Sequence, residues 1–269
     1  MTQSERRLYL IRELLKEQPQ YQDIQIPAGR QEQKHLLRSL FNVRMPAPVS
    51  DEFLAIQDAY LQEETAEKGI IDLADLKPIQ DHLYLWQGDI TTLRCGAIVN
   101  AANSQMLGCF WPCHGCIDNA IHTCAGVQLR AACAELMEQQ GHEEETGKAK
   151  ITPAFNLPCD YVLHTVGPIV SGRLKETDKE LLASCYRSCL ELAAAHGIKS
   201  IAFCCISTGE FHFPNDAAAN IAVTTVKNYL LETQSEMEVI FNVFKEADYK
   251  IYQKLLQLAG PTAGSHPAC

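Results

Sequence analysis

Apolar positions in the first 70 residues recur at helical spacing. Three such patterns are separated by breaks that contain proline, and the third follows Ser50, a favourable helix N-cap. Their apolar members are Leu8, Ile11, Leu14 and Leu15, then Leu36, Leu37, Leu40 and Phe41, and finally Phe53, Ile56, Tyr60 and Leu61. We predict an N-terminal helical extension over residues 1–70, which either packs as a cap on the rest of the chain or recruits a partner.

From residue 71 the pattern changes to short apolar runs rich in β-formers, alternating with helical stretches. The runs cover residues 83–86, 97–100, 161–166, 201–206 and 239–244. Helices are predicted at 178–196, where Thr177 and Glu180 resemble a capping box, from Asn215 to about Leu231, and at 246–258. Near-continuous apolar strands between helices predict a layered α/β/α domain over residues 71–258. Residues 259–269 are predicted to form a flexible tail.

Charge and composition narrow the class of protein. A net charge of −10 argues against binding to a nucleic-acid backbone, because such binding comes mainly from Lys and Arg neutralising phosphates. No apolar stretch approaches the roughly 20 residues that span a bilayer, and the first residues lack the apolar segment of a signal peptide. We therefore expect a cytoplasmic protein with no membrane partner. Its 12 cysteines are then expected to remain reduced.

Polar and small residues follow two of the predicted strands. Asn100 ends one strand and Asn103 follows after two alanines, an arrangement whose amides suit sugar hydroxyls. Residues 207–215 lead from another strand into a helix, and Gly209 in this loop permits close approach of a ligand. Backbone N–H groups ahead of a helix bind phosphate oxygens well, so this loop is a candidate phosphate site. The alternative is an ordinary strand-to-helix loop with the same kind of sequence.

A metal-like cluster lies just beyond the asparagines. Cys109, His114 and Cys116 supply two thiolates and an imidazole, a ligand set typical of tetrahedral zinc. Three protein ligands leave a fourth position open, as catalytic zinc requires, and we favour Cys113 as a spectator. Two alternatives stay open: Cys113 closes a purely structural zinc site, or the thiols bind no metal.

Several motifs together resemble the macrodomain, an ADP-ribose-binding fold. They are Gln87-Gly-Asp-Ile-Thr91, Ala97-Ile-Val-Asn-Ala-Ala-Asn103, Asp118-Asn-Ala-Ile-His122, the stretches 151–158 and 162–168, and Ser207-Thr-Gly209. The stretch from Gly108 to His122 is similar to the loop of the zinc-dependent subclass, so zinc is the implied cofactor, held in a loop over 107–118. Where the phosphate loop of the family usually has a second glycine, this chain has His212.

The resemblance implies a mixed sheet between helices and a role for each motif. Asp89 and Ile90 meet the adenine end of the ligand, and Asn100 and Asn103 approach the distal ribose. The residues that wrap the diphosphate are Ser207, Thr208, Gly209, Glu210 and Phe211. Phe244 is expected on the adenosine side. We group Asn103, Asp118 and Cys116 as the catalytic residues.

Asp118 and His122 share one face of a helix that starts near Ile117. Asp118 acts as a general base or steadies the distal ribose or a water, unless it is simply a carboxylate at a helix N-terminus. His122 is either a packed, hydrogen-bonded core residue or a support of the metal ligands. His164, inside a strand, is expected to be structural.

We therefore expect a zinc-dependent hydrolase that removes mono-ADP-ribose from protein side chains, with Asp or Glu as the modified residue. Zinc either activates water or polarises a substrate oxygen. The subclass further implies a lipoyl-carrier protein modified by a sirtuin-type transferase as substrate. The alternatives are a non-catalytic reader of ADP-ribosylated protein and a deacetylase of O-acetyl-ADP-ribose.

Overall fold

In the computed structural model, which describes residues 1–258, three helices make up the N-terminal region. They are α1 (Gln3–Lys16), α2 (Arg30–Val43) and α3 (Asp51–Lys68), with a 3₁₀ turn at Pro19–Tyr21. Ser50 caps α3, since its hydroxyl accepts a hydrogen bond from the backbone N–H of Phe53 at 3.1 Å. Buried side chains of all three helices, among them Leu10, Leu37 and Phe53, form a hydrophobic cluster of their own. The three predicted apolar patterns are thus confirmed as helices.

A seven-stranded mixed sheet follows. Its strands are β2 (Pro78–Gln80), β3 (Leu83–Gln87), β5 (Ala97–Ala102), β6 (Ala149–Pro153), β7 (Tyr161–Val166), β8 (Ser200–Phe203) and β9 (Glu238–Val243). Their spatial order is β2-β3-β9-β8-β5-β7-β6, with the edge strands β2 and β6 antiparallel to their neighbours and the inner pairs parallel. Two short strands, β1 (Ile71–Asp72) and β4 (Leu93–Arg94), pair separately.

Helices cover both faces of this sheet. One layer contains α4 (Ile117–Ala125) and α5 (Val127–Gln140), which contact β5 and β6. The other contains α6 (Glu176–Ala195), α7 (Asn215–Thr233) and α8 (Glu246–Leu258), which pack side by side against the sheet. Additional 3₁₀ turns lie at Leu73–Asp75 and Ile90–Thr92. The predicted three-layer α/β/α architecture with a mixed sheet is confirmed.

Several predicted boundaries were wrong. Helix α6 begins two residues early, because the backbone N–H of Lys175 donates to the carboxylate of Asp178 at 2.9 Å; Thr177 and Glu180 form no capping box. Strand β5 continues through Asn100 to Ala102, and β8 ends at Phe203. Strand β6 escaped prediction because it lies at the sheet edge, half-buried, and so lacks a continuous apolar run.

The sheet geometry brings the predicted loops together. Strands β3, β9, β8 and β5 are adjacent and parallel, so their carboxyl ends meet at one edge of the sheet. That edge is where open α/β sheets bind ligands. None of the described helices combines the length and apolar character needed to cross a membrane. The predicted flexible tail, residues 259–269, lies outside the described residues.

Candidate active site

The loop after β5 (residues 107–118, the metal loop) brings three candidate metal ligands together. Ligand atoms of Cys109, His114 and Cys116 all lie within 4.8 Å of one another, and Cys109 Sγ is 3.6 Å from His114 Nδ1. Tetrahedral zinc with ordinary bond lengths holds a sulfur and a nitrogen ligand about 3.5 Å apart. These side chains are half-buried, which leaves the cluster accessible from one side. The donor set and its spacing therefore fit a zinc ion.

Cys113 is turned away from this cluster. Its Sγ lies 3.3 Å from the hydroxyl of Ser39 and 3.5 Å from the carbonyl oxygen of His35, both on α2. The backbone of Cys113 is left-handed, with φ of 51°, and this conformation reverses the chain between the first ligand and the other two. The structure thus agrees with a three-ligand site in which Cys113 is a spectator.

Beneath the loop, Asn100 connects Asp118 to His164. The Asn100 side chain is completely buried, and its Nδ2 donates to Asp118 Oδ1 at 2.8 Å and to His164 Nδ1 at 3.2 Å. Burial lowers the pKa of His164 to about 3, so the ring is neutral. Its Nδ1 accepts the amide hydrogen, and its Nε2–H donates to the hydroxyl of Thr152 at 2.9 Å. The Nδ2 group of Asn100 therefore holds Asp118 and His164 in place, while its buried Oδ1 has no partner among the described residues; the contact of Asn100 with the distal ribose stays a prediction.

Asp118 is the buried carboxylate of this network. It lies in the first turn of α4, and burial raises its pKa to about 6 in spite of the hydrogen bond from Asn100. Its Oδ1 is 3.5 Å from Nε2 of His122. A carboxylate held in this way is more than a helix-terminal charge, because its orientation is fixed by Asn100 from the sheet side.

His122 packs directly under the metal loop. A Cβ atom at Gly108, where φ is +78°, would lie 2.8 Å from Cγ of the His122 ring, so only glycine fits there. Burial lowers the pKa of His122 well below its usual value. His122 is buried, as the prediction of a packed core histidine requires, but within the described residues neither ring nitrogen has a hydrogen-bond partner.

Asn103 shapes the start of the metal loop. Its Oδ1 accepts hydrogen bonds from the backbone N–H groups of Gln105 and Met106, each at 3.1 Å, and its Nδ2 donates to the Gly108 carbonyl oxygen at 3.2 Å. The residue is half-buried, and an amide nitrogen carries a second hydrogen. Asn103 can therefore support the loop and still donate to a ligand.

The loop after β8 offers backbone donors. In the described part of the chain, the N–H groups of Gly209, Glu210 and Phe211 donate to no protein acceptor. Gly209 is exposed, with no atom within 4 Å of a Cβ built on it. His212 adopts a φ of 55°, so it occupies the left-handed conformation for which glycine is the usual residue. The turn of the loop thus tolerates the replacement of the expected second glycine.

Glu210 links this loop to the metal loop. Its Oε1 lies 3.6 Å from Nε2 of His114, while Nδ1 of the same ring faces Cys109. Metal-binding histidines commonly present their second ring nitrogen to a carboxylate, which orients the ring. The two loops therefore meet across the cleft at His114.

Asp89 and Phe244 lie at the other end of the cleft. Asp89 follows β3 and Phe244 follows β9, its parallel neighbour; Phe244 is 77% exposed and available for stacking. Asp89 Oδ1 accepts from the backbone N–H of Thr91 at 3.0 Å, and Oδ2 lies 3.1 Å from Nζ of Lys68 on α3. Ile90 is buried in the 3₁₀ turn.

A cavity of about 250 Å³ between α2, α3 and α4 extends to Asp89.

Similarity to known proteins shows which family this chain belongs to. A model described as "Macro domain" matches residues 99–222. A Treponema medium protein named "Protein-ADP-ribose hydrolase" is 61% identical over 260 residues, covering 95% of this chain and all of that protein. A Trypanosoma brucei macrodomain solved in complex with ADP-ribose superposes with a TM-score of 0.64 at 32% identity, covering 81% of this chain and 94% of that one. This chain belongs to the macrodomain family.

A second relative agrees with the first. A Staphylococcus aureus (strain MSSA476) protein, also named "Protein-ADP-ribose hydrolase", is 51% identical over 248 residues, covering 91% of this chain and 93% of its own length. Since these relatives are hydrolases, the prediction that this macrodomain is an enzyme is confirmed. The matches extend beyond the macrodomain core, so the chain resembles these proteins over nearly its whole length.

Sequence reasoning missed several polar residues around the site. Arg38 and Asn42 on α2, and Asn119 on α4, all contact the metal loop or the residues beneath it. No local signal marks Arg38 and Asn42, because polar residues on an amphipathic helix ordinarily face solvent, whereas Asn119 lies within the motif Asp118-Asn-Ala-Ile-His122. Their buried contacts depend on how α2 packs against α4, which the hydrophobic pattern does not specify.

Proposed function

We propose that this protein hydrolyses the bond between mono-ADP-ribose and a modified protein side chain, with Asp or Glu as the preferred acceptor. The observation that carries the proposal is the convergence of Cys109, His114 and Cys116 beside Asp118 at the ligand-binding edge of the sheet. The names of the two similar hydrolases support this activity.

The cleft has a complementary group for each part of ADP-ribose. The free N–H groups of residues 209–211 can donate hydrogen bonds to the oxygens of the diphosphate. A protein with a net charge of −10 can bind this anion through its backbone even without a basic surface. We assign Asp89, Ile90 and Phe244 to the adenosine. Asn103 remains for the distal ribose, whose anomeric carbon carries the bond to be broken.

The residues that would hold zinc are Cys109, His114 and Cys116, with Glu210 beside the second nitrogen of His114. When bound, zinc supplies Lewis acidity to an oxygen of the ribose, the acceptor or water. Three protein ligands are the number found in catalytic rather than structural sites. The thiol of Cys113 contacts the hydroxyl of Ser39 on α2. This contact favours a site with three protein ligands and an open fourth position.

Asp118 is the group of the chain placed to hold or move a proton. Asn100 fixes its carboxylate through one amide hydrogen and anchors itself on His164 through the other. This arrangement keeps Asp118 oriented during the reaction, as efficient proton transfer requires. The surrounding protein excludes water from this side of the site, because Asn100, Asp118 and His164 are all buried.

The proposal extends to the natural target of the protein and to its location in the cell. By family resemblance, the target is a lipoyl-carrier protein modified by a sirtuin-type transferase. A reducing, cytoplasmic location agrees with the cysteines, since all those in the described residues are free thiols.

The test uses a protein ADP-ribosylated on Asp or Glu, with a serine-linked substrate for comparison. We expect release of free ADP-ribose and restoration of the acidic side chain, with little release from serine. Tight ADP-ribose binding without release would instead indicate a reader. Release of acetate from O-acetyl-ADP-ribose, with no action on modified protein, would indicate the deacetylase.

A further inference from the structure

Helix α2 of the N-terminal region contacts the metal loop directly. Arg38 Nη2 donates to the backbone carbonyl oxygen of His114 at 2.9 Å. The same guanidinium donates to Oδ1 of Asn119, from Nη2 at 2.8 Å and from Nε at 3.2 Å. Forked contacts of this kind fix orientation as well as distance, and only arginine among the side chains makes them.

Asn119 passes this restraint on to the rest of the loop. Its side chain is completely buried in α4, and its Nδ2 donates to the carbonyl oxygen of Trp111 at 3.0 Å. Its backbone N–H points at Sγ of Cys116, 3.4 Å away. Arg38, directly and through Asn119, therefore restrains the backbone carbonyl groups of Trp111 and His114. The first of these lies ahead of His114 in the chain and the second lies between His114 and Cys116.

Asn42, one turn further along α2, stabilises the backbone of Cys113, where the chain reverses between Cys109 and His114. Its Oδ1 accepts the backbone N–H of Cys113 at 2.8 Å, and its Nδ2 donates to the hydroxyl of Thr123 at 2.9 Å. Cys113 is a non-glycine residue in the left-handed region, a conformation that needs support from its surroundings. Asn42 provides that support from a buried position.

We propose that Arg38 and Asn42 are positioning residues of the metal site, and that α2 pre-organises the loop so that Cys109, His114 and Cys116 converge. This inference rests on the proposed zinc site. A loop that is already ordered loses less conformational entropy when it binds an ion, so its affinity is higher. The N-terminal helices are then part of the active site rather than a cap or a module for recruiting partners.

A purely structural role for α2 makes a different prediction. In that case, substitutions at the contact would lower the melting temperature and leave the zinc affinity of the folded protein unchanged. A positioning role instead predicts weaker zinc binding in protein that is still folded, and recovery of activity when zinc is added in excess. Zinc affinity is thus the measurement that separates the two.

The experiment measures zinc affinity by competition with a chelator, together with melting temperature, for wild type, Arg38→Ala, Arg38→Lys and Asn42→Ala. The matched control is Arg30→Ala, at the start of the same helix, where only an exposed ion pair with Glu67 is lost. We expect Arg38→Ala to bind zinc roughly 10- to 100-fold more weakly, the usual effect of removing support for a metal ligand. Arg38→Lys should be intermediate, because it keeps the charge and loses the fork.

Wild-type zinc affinity in both Arg38 variants and in Asn42→Ala would overturn the inference while leaving the proposed function intact. Should Arg38→Ala fail to fold, Arg38→Lys and Asn42→Ala decide the matter. An absence of zinc binding in the wild type would overturn this inference and the zinc site of the proposed function together.

Discussion

At the scale of single residues, the site depends on side chains whose partners come from distant parts of the chain. Asn100 illustrates this. The sequence predicts a ribose-binding amide at a strand end, and in the structure the Nδ2 group of this amide donates hydrogen bonds to Asp118 and His164, 18 and 64 residues away. The residue types of a motif indicate its chemistry, whereas the direction in which each side chain points depends on tertiary neighbours. The convergence of Cys109, His114 and Cys116 was predictable because the three residues lie within one short loop.

The adjacent cysteines of that loop provide a matched pair of substitutions. Cys116→Ala removes a candidate ligand, and we expect loss of zinc and of nearly all hydrolysis. Cys113→Ala removes a thiol that points toward α2, so zinc content and hydrolysis should stay close to wild type. Zinc is measured by elemental analysis of the purified proteins. Equal zinc loss in the two variants would contradict the three-ligand site.

Gly167 lies against Ser207 in the loop after β8, the candidate phosphate-binding loop. A Cβ atom there would lie 2.1 Å from Oγ of Ser207 and 2.9 Å from Cγ2 of Ile206, so Gly167→Ala must displace these two side chains at the start of the loop. We expect weaker ADP-ribose binding by calorimetry and a lower melting temperature, with zinc content unchanged. Gly167→Ala combined with Ser207→Ala should recover part of the stability, because the closest clash is removed while Ile206 remains 2.9 Å away. No recovery in the double variant would place the strain elsewhere.

At the scale of elements, periodicity predicted the helices and inner strands because their side chains are buried on defined faces. Helix α3 begins after its predicted cap, Ser50, and β7 has the predicted bounds. Prediction failed where an element is defined by hydrogen bonds instead of burial, as at the start of α6 and along the edge strand β6. The contact between α2 and the metal loop was invisible for the same reason.

The N-terminal helices have a hydrophobic cluster of their own, so a substitution within it tests how they are packed. Leu10 is completely buried there, and Leu10→Ala should cost about 2–5 kcal/mol of unfolding free energy, as for other buried leucines. The control is Leu231→Ala in α7, where the side chain is 80% exposed and the expected change is within about 0.5 kcal/mol. Denaturant titration measures both. Equal effects would contradict a packed helical core.

At the scale of the whole molecule, the sheet edge, the two loops and the N-terminal helices converge on a single cleft. The family resemblance predicted the sheet and the loops, and the similarity to two hydrolases extends over nearly the whole chain. Sequence patterns left the N-terminal helices without a defined role, since their function depends on contacts made only after α2 packs against α4. His114 lies at the centre, where Glu210 approaches it from one side and Arg38 from the other.

The most direct test of a single metal-dependent active site is a zinc titration. Purified protein is stripped of metal with a chelator, its zinc content is verified, and zinc is added back while ADP-ribose release from a modified protein is followed. We predict no release from the metal-free protein and a linear rise that reaches its plateau at one zinc per chain. Undiminished release from verified metal-free protein would contradict the role assigned to Cys109, His114 and Cys116.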